Sequence, residues 1–199
     1  MLLEEALTQL TQQSRRNFAQ SFDLIINLKN IDLKKPENKF SKDILLPHGR
    51  GKDIEVGIIS DRLPGAITKT DIEKLSKKEI KHLSKKYGFF VCEAPLMPLV
   101  GKILGRYLGP KGKMPRLLPP TQNVDVLVAE MKKSVRINVA TSPTIHVIVG
   151  TEKMRTEQVK ENILQVVEDV KKALPKGEAQ IKNILVKLTM NKPIKVELR

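Results

Sequence analysis

The chain has 199 residues, with 36 Lys and Arg against 22 Asp and Glu, giving a formal charge of +14 and a pI of about 9.9. Apolar residues at 40% allow a buried core, and 4% aromatics without Trp make that core one of Ile, Leu and Val. A single cysteine, Cys92, excludes an intrachain disulfide framework and a cysteine-rich zinc site, so the charge is the leading clue and points to a polyanion partner, most simply nucleic acid.

In chain order, Leu2–Gln20 predicts a helix, with Leu3, Ala6, Leu7, Leu10 and Phe18 on or near one stripe. Phe22–Lys29 alternates as a strand, Ile31–Asn38 reads as a loop, and Ser41–Leu46 is a shorter strand stopped by Pro47 and Gly49. The pattern then changes. Asp53–Ile59 predicts a strand, and a helix follows with Thr70 as its cap, Glu73 completing a capping box and Gly88 ending it. Phe89–Cys92 reads as a short buried strand, Pro95–Gly105 as a helix and Val124–Lys133 as another, the rhythm of a small α/β layer. After Lys133 the pattern changes back. Val135–Ala140 and Thr144–Val149 are strands around a turn at Ser142-Pro143, Thr156 caps a helix running to Ala173, and Ile181–Leu188 and Ile194–Leu198 are closing strands. The expected architecture is α/β overall in two domains. An α+β domain is built from both termini, residues 1–49 and 134–199, and an α/β domain, residues 50–133, is inserted.

Divided that way, the first stretch carries 7 basic and 6 acidic residues (+1), the middle 17 and 9 (+8) and the last 12 and 7 (+5). Glu4 and Glu5 stand where an export signal would be basic and then apolar. The longest stretch without Asp, Glu, Lys or Arg, Ile137–Thr151, contains Pro143 and His146 and falls short of the roughly 18 apolar residues of a membrane span. No membrane contact is expected, and a lone Cys fits a cytoplasmic compartment.

Candidate chemistry is sparse. His48, His82 and His146 are scattered with no metal-ligand spacing, so no metal is expected, and Cys92 in an apolar strand reads as an inert thiol. The run Gly101–Pro115 has four glycines and carries Lys102, Arg106, Lys111 and Lys113, with Arg116 just beyond, and no acid lies between Glu93 and Asp125. Glycines admit backbone N–H groups to phosphates and cations neutralise them, so an RNA- or tRNA-backbone contact competes with a solvated connection. Met114 after Lys113 breaks the P-loop pattern, which weakens the alternative of a nucleotide-dependent enzyme on the inserted domain. At the termini, Ser21-Phe22-Asp23 opens the first strand and Thr189-Met190-Asn191-Lys192-Pro193 links the last two. Hydroxyls, free backbone groups and an exposed apolar atom at a sheet end suit folded RNA, and equally suit a plain turn over a core Phe.

Further motifs stand in order: Phe22–Lys29, Leu46-Pro-His-Gly-Arg-Gly-Lys52, Gly101-x-x-Leu-Gly-x-x-Leu-Gly-Pro-x-Gly-x-Met-Pro115, Val147-Ile-Val-Gly150 and Thr189-Met190. Together they resemble the L-one family of large-subunit ribosomal proteins in its archaeal form, over nearly the whole chain. The resemblance implies the two domains with the boundaries above, the terminal one a split-βαβ, ferredoxin-like domain and the inserted one Rossmann-like. It implies no enzyme activity and no cofactor. It implies a cytoplasmic ribosomal protein that binds large-subunit rRNA, forms the mobile stalk near the exit site, assists release of deacylated tRNA, represses its own mRNA and is a monomer off the ribosome. The implied rRNA site maps onto Ser21, Phe22, Asn27, His146, Asn183, Thr189, Met190 and Asn191. The glycine-flanked crossings at His48, Gly49, Gly51 and Ser134 are a candidate hinge. One departure stands out: the family commonly has Gly and then Pro after Thr-Met, and here Asn191 and Lys192 precede Pro193. Asn is expected to accept the left-handed backbone a Gly would supply.

Overall fold

The alternation of Phe22, Leu24, Ile26 and Leu28 along β1 (Ser21–Leu28) points one apolar face inward, and the rest of the surrounding sheet is built on that strand. The structure, a computed structural model, describes residues 1–13, 17–35, 38–119, 123–139 and 142–197, with mixed α/β content. It comprises two compact units, Met1–Lys52 with Lys133–Arg199 and, between them in sequence, Asp53–Lys132.

The first unit contains α1 (Leu3–Gln13), β1 and β2 (Phe40–Leu45). The second contains β3 (Val56–Ile59), α2 (Lys69–Lys74), α3 (Lys77–Lys86), β4 (Phe89–Glu93), α4 (Met97–Ile103), α5 (Gly105–Leu108), β5 (Arg116–Leu118) and α6 (Val124–Lys133). The chain completes the first unit with β6 (Ser134–Val139), β7 (Thr144–Thr151), α7 (Thr156–Ala173), β8 (Ile181–Leu188) and β9 (Ile194–Val196).

In the first unit the sheet order is β7-β1-β8-β9, every neighbouring pair antiparallel, and β2 pairs separately with β6. β7 and β8 therefore run parallel to each other on either side of β1, and α7 joins them. The inward residues of β1, β7 and β8 form one core with Leu3, Ala6, Leu7 and Leu10 of α1 and Val159, Ile163, Val166, Val167 and Val170 of α7. The opposite face carries rows set by register: Asn27 stands between Thr144 and Asn183, Ile25 between His146 and Leu185, Asp23 between Ile148 and Lys187. None of these residues belongs to the core cluster.

In the second unit β3-β4-β5 form a parallel sheet with β4 central. Phe90 and Cys92 face a cluster with Ile72, Ile80, Val100, Leu104 and Leu108, whereas Phe89 and Val91 face Leu127 and Met131 of α6. Cover on both faces explains why the strand is a continuous apolar run.

Several sequence expectations are corrected. The described part of the first helix is Leu3–Gln13, residues 17–20 are not helical, and Phe18 is exposed. Past Leu10 the stripe offers only Thr11, Gln12 and Gln13, and helical stability comes from a buried face. The expected helix from Thr70 is two helices. Thr68 caps α2 in a box with Asp71, and Ser76 caps α3 in a box with Glu79, with Leu75 extended between them. Three Thr/Ser-to-acid spacings compete here, and Thr70 lies inside α2. The strand expected over Asp53–Ile59 starts at Val56, because Phe89–Cys92 offers β3 four partners. The helix expected over Pro95–Gly105 is a 3-10 turn, Ala94–Leu96, followed by α4 and α5. Thr156 is the first helical residue of α7, with Arg155 in the capping position. The three residues of β5, too few for a visible period, were hidden at the end of the glycine-rich run. Ala140 and Leu198, expected in strands, lie outside the described residues.

Candidate nucleic-acid interface

At the entry to β1 a set of hydrogen bonds assembles the turn after β8. The Ser21 carbonyl accepts from the Thr189 N–H at 3.1 Å and from Thr189 Oγ1 at 3.2 Å. The Met190 N–H donates to Gln20 Oε1 at 3.0 Å, and the Asn191 N–H to the Leu188 carbonyl at 2.9 Å. Lys187 Nζ donates to the Thr189 carbonyl at 3.1 Å. With its backbone thus fixed, Met190 leaves its side chain outside, at 59% exposure. A thioether held in water by a rigid turn has no role in the core, and it suits packing on a sugar or base.

Gln20 is the hub of this set, and nothing in the sequence marked it. It is 2% exposed, its N–H donates to Glu152 Oε2 at 2.7 Å, and its carbonyl accepts from the Glu152 N–H at 3.0 Å. Glu152 Oε1 is buried with no partner among the described residues, as is Thr151 Oγ1. The available signal was that Glu152 is the acid ending the long uncharged stretch, at the point where β7 terminates. Lys187, paired across β8 and β1 with Asp23, was likewise not anticipated. Burial raises the Asp23 carboxyl above its ordinary value, opposed by the nearby charge of Lys187, a hydrogen bond from Thr189 and the charge of His146.

The expected site residues fall into two groups. Ser21, Thr189, Met190 and Asn191 are together at the turn. Asn27 and Asn183 are at the other end of β1, six residues or roughly 20 Å away at strand rise. There Asn27 Nδ2 donates to Asn183 Oδ1 at 2.7 Å and Thr144 Oγ1 donates to Asn27 Oδ1 at 3.2 Å. His146 is exposed on the open face between the two groups, opposite Ile25. Phe22, at 2% exposure, is in the core and supports the turn from beneath. The left-handed backbone expected at Asn191 is not adopted: among the described residues Asn30 is the one non-glycine with positive φ. The turn therefore tolerates Asn without strain.

The basic residues of the glycine-rich run are also divided. Lys113 Nζ donates to the Ser84 and Tyr87 carbonyls at 2.9 Å each, and Lys111 Nζ to Ser84 Oγ at 2.6 Å. Both sit at the C-terminal end of α3, where orphan carbonyls and the helix dipole favour a cation. Lys102, Arg106 and Arg116 are exposed. At the expected hinge, Gly49 and Gly51 have φ of 66° and 67°. A Cβ on Gly51 would lie 2.5 Å from Thr151 Oγ1. Asn162, fully buried, receives the His48 N–H at 3.1 Å and donates to the Gly49 and Val149 carbonyls at 2.8 Å. Ser134 pairs with Leu45, so the two crossings leave the first unit side by side.

Cys92 is buried, and desolvation followed by the charge of Glu93 pushes its thiol up to about 11, the reverse of a reactive thiolate. Among the described residues no group of three His, Cys, Asp or Glu is placed to hold a metal ion. Among the described residues no helix is long and apolar enough to cross a membrane.

Residues 10–192 match the model of the Ribosomal protein L1p/L10e family. The chain is 46% identical over 194 residues, 92% of its length and 89% of the relative's, to a protein of Pyrococcus horikoshii named large ribosomal subunit protein uL1. Proteins of the same name from Thermococcus kodakarensis and Methanocaldococcus jannaschii are 40% and 42% identical, over 98% and 97% of this chain and 96% and 95% of theirs.

Proposed function

From the premise that the chain belongs to the ribosomal protein L1p/L10e family, and so is a structural protein of the large ribosomal subunit and not an enzyme, we propose that it grips large-subunit rRNA with the Thr189–Met190 turn. The observation that carries this reading is the turn itself, locked by Ser21 and Gln20 with Met190 projecting from it. Ser21 and Asn191 complete the contact, and Phe22 backs it from the core. His146, Asn27 and Asn183 extend it along the open face of the sheet. Hydroxyl, thioether and backbone contacts select an RNA shape, while exposed lysines supply salt-dependent attraction.

The finer role follows the family resemblance. The protein forms the mobile stalk near the exit site, its inserted domain meets the backbone of the departing tRNA through Lys102, Arg106 and Arg116, and the rRNA site binds a mimic in its own mRNA to repress translation. We read the terminal unit, residues 1–49 and 134–199, as a split-βαβ domain and residues 50–133 as a Rossmann-like domain. Gly51 and Ser134 serve as the pivot, because Asn162 anchors His48 and Gly49.

The test is a filter-binding titration on the rRNA stalk fragment. Thr189→Ala is expected to weaken binding about tenfold and Lys81→Ala less than twofold. Equal losses from the two would place the site elsewhere.

A further inference from the structure

Unrelated to the rRNA turn, the second unit holds a cavity of about 370 Å³. It opens where three parallel strands end: Ser60 follows β3, Glu93 closes β4 and Leu118 closes β5. The crevice beyond the carboxyl ends of such strands is where open α/β sheets hold ligands, and the volume falls in the range of small-molecule sites. Its walls include Leu63, Pro95, Leu118 and Val124, and among the described residues its charged side chains are Glu93 and Arg62.

The polar groups are set in place by one hydroxyl. Ser60, fully buried, donates through Oγ to Glu93 Oε1 at 2.6 Å, and the same oxygen accepts the N–H groups of Arg62 at 3.0 Å and Leu63 at 3.2 Å. Carboxylate and loop are thus fixed before any ligand arrives, and a preorganised site loses less on binding. Ser60 is the one protein donor to the Glu93 carboxylate among the described residues, so the group can accept more hydrogen bonds.

A largely apolar cavity with one fixed carboxylate and one cation suits a planar ring bearing adjacent N–H donors and an attached anion. Guanine meets this with its N1–H and N2 amino group, and its phosphate suits Arg62. Adenine and cytosine place a ring acceptor beside their amino group, and uracil flanks its N–H with carbonyls, so each would set an oxygen or nitrogen lone pair against the carboxylate. We propose that this cavity binds an unpaired guanine nucleotide, with Glu93 reading the base edge and Arg62 the phosphate.

The base can come from a free nucleotide or from single-stranded RNA, and calorimetry on the full chain separates the two. The probes are GMP, AMP and CMP, then a uridine hexamer with and without one central guanosine. The expected result is at least about tenfold preference for the guanine ligand, as a bidentate base contact provides. Preference among the mononucleotides identifies a free-nucleotide site. Preference confined to the hexamers identifies an RNA base. No preference in either set overturns the proposal. Glu93→Gln is expected to reduce the preference below threefold, and Arg62→Ala to weaken both hexamers while preserving it; a preference that survives Glu93→Gln also overturns it. Thermal melting confirms that each variant is folded. Binding of the rRNA stalk fragment by Glu93→Gln should match the parent, so the guanine site and the Thr189–Met190 site fail independently.

Discussion

The turn after β8 and the glycine-rich run from Gly101 to Pro115 are the two segments whose composition suggested RNA, and they differ in what is left outside. At the turn, Ser21 and Gln20 hold the backbone, Lys187 adds one bond to the Thr189 carbonyl, and an uncharged side chain, Met190, is left outside. In the glycine-rich run two of the cations themselves make the structure, because Lys111 and Lys113 clamp the loop onto the end of α3. A positive charge in a sequence therefore does not translate directly into a positive charge offered to a ligand. A backbone carbonyl can claim it first, and the end of a helix is where unpaired carbonyls collect.

This contrast can be broken by substitution. The largest effect is expected from Met190→Asp, which sets a carboxylate against phosphates. Like charges in contact cost several kcal/mol, so affinity for the rRNA stalk fragment should fall about a hundredfold with folding unchanged. A loss below threefold would remove Met190 from the interface. Next comes Lys113→Met. Losing charged hydrogen bonds to two carbonyls should lower stability by about 2 kcal/mol in urea denaturation, while rRNA affinity stays within about twofold. The reverse pattern would make Lys113 an RNA contact. Gln20→Ala should then weaken rRNA binding by about 1 kcal/mol, roughly fivefold, by freeing the Met190 N–H, with less effect on tRNA binding. The smallest effect belongs to Asp23. Its carboxyl is raised by burial, so the folded state holds the proton more tightly than the unfolded chain. Its contribution to stability therefore declines as pH rises from the ordinary aspartate value of about 3.8 through the raised folded value. Asp23→Asn should flatten that limb of the stability-pH curve and slightly increase rRNA affinity; an unchanged limb would locate the titration elsewhere.

The legible parts of the sequence were those with a period. β1, β7, β8 and α7 each carry a run of buried residues at spacing 2 or 3.6, on α7 Val159, Ile163, Val166, Val167 and Val170. The helix at residues 69–86 was misread because three equally spaced capping pairs compete, and local spacing does not say which Thr or Ser initiates. Of the candidate site, Thr189 and Met190 were legible as a motif. Gln20 and Glu152 were not, since each acts through a partner more than 130 residues away in sequence. Asn162, which holds the His48–Gly49 crossing, looks in sequence like one polar residue on a helix and is fully buried.

By itself, the sequence determined that this is a basic, aliphatic-cored α/β chain whose charge suits a polyanion partner, because charge and hydrophobic period are properties of neighbours in the chain. It also determined the family, because the ordered motifs survive without knowledge of any contact. The tertiary structure alone decided which groups remain available to a ligand. It divided the expected rRNA residues into two clusters along β1, placed Phe22 inside and Met190 outside, and assigned Lys111 and Lys113 to a helix end. It also brought Ser60, Glu93 and Leu118 to a common mouth. The physical reason is that a buried polar group must find a partner, and in this fold many of those partners come from distant strands.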